Sequence, residues 1–151
     1  MIKYRKGYKY QLAENYERMV SIHLAPRHGD IEEEFITLRR NDETLQGILQ
    51  IKSGYAWDGP SGPTFDTKNF MEGSLIHDAI YQLIRMKRLP FDNATRIAAD
   101  DEIILSCKEH GMSWPRRKWV WIGLRLFAKS AANPKHRRKV IKIAIASKVR
   151  E

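Results

Sequence analysis

Residues 54–63 read GYAWDGPSGP, and no regular element can run through them. Three glycines and two prolines in ten positions combine maximal backbone freedom with fixed φ angles and missing amide donors, which excludes both a helix interior and a central strand. The chain must therefore be divided here by a loop, and the hydrophobic period differs on its two sides.

Upstream the pattern is that of strands. Residues 8–22 carry aromatic and β-branched side chains in imperfect alternation. Residues 34–40 (EFITLRR) and 44–52 (TLQGILQIK) alternate better, and Asn41-Asp42-Glu43 between them has turn chemistry, so they are expected to form a hairpin. Downstream, Phe70, Leu75, Ile76, Ala79, Ile80, Leu83 and Ile84 recur at helical spacing, which predicts a helix over about 69–86. Phe91-Asp92-Asn93 supplies cap chemistry for a second helix over about 93–110, closed by Gly111. Ser113-Trp114-Pro115 opens a third over about 115–129, and Asn133-Pro134 separates it from a last helix over 135–149. The expected class is α+β: an N-terminal antiparallel meander or hairpin followed by three to four helices. Residues 1–132 would form a single domain and 133–151 a basic C-terminal helix.

With 151 residues, 42% of them hydrophobic, the chain suits one domain with a real core. No apolar run approaches the ~18 residues of a membrane span, and the N-terminal residues have no apolar segment of a secretory signal. Cys107 stands alone, which excludes an intrachain disulfide and fits a reducing compartment. The net charge of +9 attracts acidic partners, whether nucleic acid or anionic lipid. The cations concentrate between Arg116 and Arg150, with no acid before Glu151. Within this stretch Lys135, Arg137, Arg138, Lys139 and Lys142 are the expected anionic-surface contacts; the plainer alternative is a solvated helix face. No nucleic-acid reading motif accompanies them, so binding there would be non-specific and salt-sensitive.

The candidate chemistry lies just after the loop. His77 and Asp78 are adjacent on the first helix, so their side chains diverge by about 100°. Tyr81, at i+4, shares the face of His77. Asp100 sits on the next helix; if the two helices pack antiparallel, its carboxylate reaches the imidazole, fixes the tautomer and leaves the other nitrogen as a base. Asp78 would face the glycine-rich loop, whose carbonyls suit a hard cation, and Asp58 would belong to the same wall. The competing reading makes His77 structural, residues 100–102 a solvated acidic cluster and the loop a turn that packs Trp57 into the core. A helix so apolar around its ionisable residues tends to bury them, which favours a functional site.

The runs GYAWDGPSGPTFDT, SLIHDAIYQLIR and AADDEIILSCKEHGM, in that order, resemble a phage and prophage family catalogued only as a domain of unknown function. That resemblance covers roughly residues 8–127 and implies a location in a bacterial host's cytoplasm or in a virion. More distantly, His77-Asp78-Ala79-Ile80-Tyr81 is similar to the His-Asp-x-Cys-Tyr helix of secreted phospholipases A2, with Trp57-Asp58-Gly59-Pro60-Ser61-Gly62 in the place of their calcium loop. This second resemblance implies a calcium-dependent lipid ester hydrolase. His77 would activate water, Asp78 would bind Ca²⁺ with Trp57, Gly59 and Ser61, and Asp100 and Tyr81 would hold the site together. Ser74 and Ile80 stand where those enzymes have cysteines. The alternatives are a non-catalytic phage accessory or virion protein that keeps the cluster as a polar network, and a basic nucleic-acid-binding protein.

Overall fold

The computed structural model describes residues 2–4, 10–24, 29–59, 68–136 and 141–143. An antiparallel β region comes first and three helices follow, so the architecture is α+β. The main sheet contains β3 (Tyr16–His23), β4 (Ile31–Glu32), β5 (Ile36–Arg40) and β6 (Gln46–Ile51) in the order β3-β6-β5-β4. Two short pairs accompany this sheet among the described residues. One joins β1 (Ile2–Tyr4) to β8 (Ile141–Ile143), and the other joins β2 (Tyr10–Gln11) to β7 (Ala56–Trp57).

The β5–β6 hairpin forms where its alternation requires, with Leu38 opposite Leu49 and Ile36 opposite Ile51 on the buried face. Asn41 makes the turn: its side-chain oxygen accepts the amides of Glu43 at 2.9 Å and Thr44 at 3.1 Å, the local competition that favours Asn in turns.

Helix α1 (Lys68–Arg85) buries Leu75, Ile76, Ala79, Ile80, Leu83 and Ile84 in the core that also holds Val20, Ile36, Leu38, Leu49 and Ile51. Each such aliphatic side chain contributes about 1.5–3 kcal/mol by leaving water, which is what holds a single helix across this sheet. Helix α2 (Asn93–Glu109) starts where Asp92 caps it, accepting the Thr95 amide at 2.7 Å. Gly111 follows its end at φ 76°. Helix α3 (Trp114–Ala132) packs Val120 and Leu124 against Phe70, Ile103 and Met112.

Close approach of α1 and α2 is built in at Gly73. A Cβ there would lie 3.1 Å from the Ile103 Cα, so any side chain would push the second helix's backbone back by a few tenths of an ångström. The helices run antiparallel from that contact: one turn beyond Gly73, His77 faces Asp100.

A second device ties α2 to the sheet. The β3–β6 register shifts between Val20 and His23, a bulge that frees the Ser21 amide from the ladder. Buried Glu102 accepts that amide at 2.7 Å, which gives its buried carboxylate a hydrogen-bond donor.

Two expectations require correction. The loop over 54–63 is not wholly irregular, because Ala56 and Trp57 pair with Gln11 and Tyr10. The last helix over 135–149 is replaced, in its described parts, by a 3-10 turn (Pro134–His136) and by strand β8. Ile141-Lys142-Ile143 is β-branched at alternate positions, which suits a strand as well as a helical stripe, and pairing with Ile2–Tyr4 decides between them. Of the expected anionic-surface residues, Lys135 is exposed and Lys142 lies opposite Lys3 in the β1–β8 pair. Arg137, Arg138 and Lys139 lie outside the described residues.

Candidate active site

Asp100 is fully buried, with a relative exposure of 0%. An isolated carboxylate could not remain ionised there, so its partners define the site. The Tyr81 hydroxyl donates to its Oδ1 at 2.6 Å, and His77 Nε2 lies 3.2 Å from the same oxygen. Arg96, one turn earlier on α2, donates to Oδ2 at 3.0 Å. Arg125 of α3 brings a second guanidinium to 3.6 Å from Oδ2. That distance gives an ion pair and no hydrogen bond.

A carboxylate only accepts, so the hydrogen between His77 and Asp100 belongs to Nε2. Nδ1 is thereby the nitrogen with a free lone pair in the neutral ring. It lies 3.6 Å from Asp78 Oδ1, too far for a direct bond and near enough for a shared water or substrate atom. Tyr81 packs its ring on the imidazole, with centroids 3.8 Å apart. Burial works against the charged imidazolium, but the hydrogen bond to Asp100 and the negative charges of Asp78 and Asp100 outweigh it, and the His77 pKa is raised above its ordinary 6.5. Burial and the bond to Asp100 push the Tyr81 phenol well above its usual range, so it stays a donor.

Asp78 points elsewhere, as adjacent helical residues must. It belongs to the i, i+4, i+8 row of Ser74, Asp78 and Gln82. At the ends of that row, Trp57 Nε1 donates to Ser74 Oγ at 3.2 Å and the Tyr55 hydroxyl donates to Gln82 Oε1 at 3.2 Å. The segment from Tyr55 to Trp57 therefore lies along the row that carries Asp78. Asp78 is 29% exposed at its side chain, which gives the site an opening to solvent. Gly59 follows at φ 75°, packed so tightly on Tyr10 that a Cβ would fall 2.4 Å from its ring.

The structure thus brings together His77, Asp78, Tyr81 and Asp100, with Trp57 one helical turn away through Ser74. Asp58 is half-buried beside Trp57. Ser61 lies outside the described residues. The acidic run is not a solvated cluster: Asp100 and Glu102 are buried, and Asp101 alone of the three is exposed, paired with Arg125 at 2.7 Å. Arg96 and Arg125 were missed from the sequence. The i, i+4 spacing of Arg96 and Asp100 could have signalled the first; no local signal marks the second.

A separate network covers the other end of the α1–α2 pair. The Tyr16 hydroxyl donates to Glu72, which also meets Arg18 at 3.3 Å and His110 Nε2 at 3.0 Å. Arg18 reaches Glu109 at 2.8 Å as well. These groups join β3 to both helices and lie apart from the His77 site.

Among the described residues no three His, Cys, Asp or Glu side chains converge as a metal site would need. Asp78 is a part-exposed carboxylate on the helical row that Tyr55 and Trp57 flank, and a carboxylate oxygen is a donor that a hard cation takes. Comparison with models of known protein families, with curated proteins and with solved structures finds no match to this chain.

Proposed function

We propose that this protein is a hydrolase of lipid esters that uses His77 as a general base. The observation that carries the reading is the hydrogen-bonded chain Tyr81–Asp100–His77, which commits Nε2 to a hydrogen and leaves Nδ1 as a base beside Asp78. In this reading Nδ1 takes a proton from a water as the water attacks the ester carbonyl. Asp100 balances the imidazolium that forms, and Tyr81 keeps the carboxylate oriented. Nδ1 then returns the proton to the departing alcohol. A calcium ion held by Asp78 with carbonyls of Trp57 and Gly59 would supply positive charge for the developing oxyanion. The similarity of the His-Asp-x-x-Tyr helix to that of phospholipases A2 supports the same assignment.

A second reading, a non-catalytic polar network in a phage accessory or virion protein, is favoured by one observation. Asp100 already has four partners, two of them guanidinium groups, which is what a purely structural buried carboxylate requires. Fatty-acid release from mixed phosphatidylcholine and phosphatidylglycerol vesicles, measured with calcium and with a chelator, separates the two. Hydrolysis is expected with calcium and should fall about 10²–10⁴-fold in His77→Gln. Asp78→Asn should remove the calcium dependence. Absence of release from all vesicles and from simple chromogenic esters would leave the structural network as the reading.

A further inference from the structure

Helix α3 turns an apolar stripe to solvent. Trp119 is 75% exposed, Leu126 68% and Trp114 64%. At about 100° per residue, Pro115, Trp119, Ile122 and Leu126 fall within a strip roughly 60° wide, on the side away from buried Val120. Lys118 and Arg125 border that strip, each set over a neighbouring indole: Lys118 Nζ lies 5.2 Å from the Trp114 ring and Arg125 lies 5.2 Å from the Trp121 ring. The helix has five cationic residues, Arg116, Arg117, Lys118, Arg125 and Lys129, and no acidic one.

We propose that this outward face of α3 docks the protein on the surface of an anionic lipid bilayer. Exposed indoles beside an exposed cation match the chemistry of a headgroup layer, where the ring enters the boundary and the Lys118 ammonium meets phosphate, while Arg125 is held by Asp100 and Asp101. Leu126 lies on the same strip, with half-buried Ile122 beside it, and would enter the acyl boundary. A nucleic acid would satisfy the cations but would leave Leu126 in water. Pairing with α3 of a second copy would set cation against cation, since the helix offers no acid. Among the described residues no helix is long and apolar enough to cross a membrane, so α3 would lie in the plane of the surface. The basic residues of 135–142 add charge, but the most exposed large hydrophobic side chains among the described residues, Trp119, Leu126 and Trp114, are on α3.

The same helix places Arg125 at 3.6 Å from Asp100, so the docking face and the His77 site share one rigid element. Docking stands independently of hydrolysis; only its role in presenting ester substrate rests on the hydrolase reading.

Co-sedimentation of the full chain with phosphatidylcholine vesicles, alone or with about one-third phosphatidylserine, tests the inference. Binding is expected only with the anionic lipid, with a blue shift of tryptophan emission and weakening at high salt as charges are screened. Trp119→Ala with Leu126→Ala should weaken binding at least tenfold while the circular dichroism spectrum is unchanged, since both side chains are exposed. Replacing Lys135 and Lys142 by Ala should weaken it less. His77→Gln should bind as the wild type does, so a failed hydrolase reading would not imitate failed docking. The inference is overturned if the wild-type chain ignores anionic vesicles, if the Trp119 and Leu126 changes leave binding intact, or if they instead abolish a dimer seen by ultracentrifugation or binding to a DNA duplex.

Discussion

His77 and Asp100 meet across the α1–α2 interface, Nε2 to Oδ1 at 3.2 Å, and both are buried. The contact follows from the Gly73–Ile103 approach one turn away and does not depend on any loop. It places the candidate base on two packed helices, the kind of support that holds a side chain to a narrow geometry.

Asp100→Asn should therefore be the most destabilising conservative change in the site. It leaves buried Arg96 without its counter-charge, at a cost of about 3–5 kcal/mol. Tyr81→Phe removes one hydrogen bond to a charged acceptor and should cost about 1.5–3 kcal/mol. Asp101→Asn, which touches only an exposed pair with Arg125, should cost at most about 1 kcal/mol. Urea denaturation of the three variants checks the order; equal losses would mean that Asp100 is solvated.

The raised His77 pKa sets a pH dependence with a definite sign. Because the folded value exceeds the unfolded one, its contribution to stability is complete below about pH 6.5 and is lost as the pH rises through the folded value. An NMR titration of the His77 ring, with a chelator present so that no cation occupies Asp78, should give a pKa above 6.5. Asp78→Asn should lower it. A ring that titrates below the ordinary value would show that burial outweighs the two carboxylates.

Gly59 and Gly111 share nearly the same backbone, at φ 75° and 76°, but not the same surroundings. Alanine at either position incurs the left-handed penalty of about 1–2 kcal/mol. At Gly59 it also meets the Tyr10 ring, whereas nothing lies within 4 Å at Gly111. Gly59→Ala should lower the thermal midpoint more, by a further ~1–3 kcal/mol in stability. Equal shifts in calorimetry would place the Tyr10 ring elsewhere.

The β1–β8 pair predicts a cross-link. Lys3 and Lys142 are register partners, and directly opposed antiparallel residues have Cα atoms about 4.5–5.5 Å apart, within the span of a disulfide. The double variant Lys3→Cys, Lys142→Cys should form an intrachain bond on mild oxidation, seen as faster migration on a non-reducing gel. Buried Cys107 should not compete. No shift would mean that residues 141–143 do not pair with the N-terminal strand.

Local order was legible in the residues themselves. The alternation of the β5–β6 hairpin, the Asn41 turn, the Asp92 cap and the shared face of His77 and Tyr81 are each satisfied within a few positions along the chain, so periodicity and side-chain chemistry suffice to specify them. The partnership of His77 with Asp100 could be anticipated because two helices joined by a short connection must pack antiparallel. What tertiary structure alone decided is how the buried charges are satisfied. Asp100 takes Arg125 from α3, and Glu102 takes an amide that a bulge in β3 releases 81 residues earlier. Residues 141–143 followed the same rule: they fit a helical stripe or a strand, and pairing with Ile2–Tyr4 made the strand. Such choices depend on donors, acceptors and edges supplied from far along the chain, and no local pattern encodes a partner that only folding brings near.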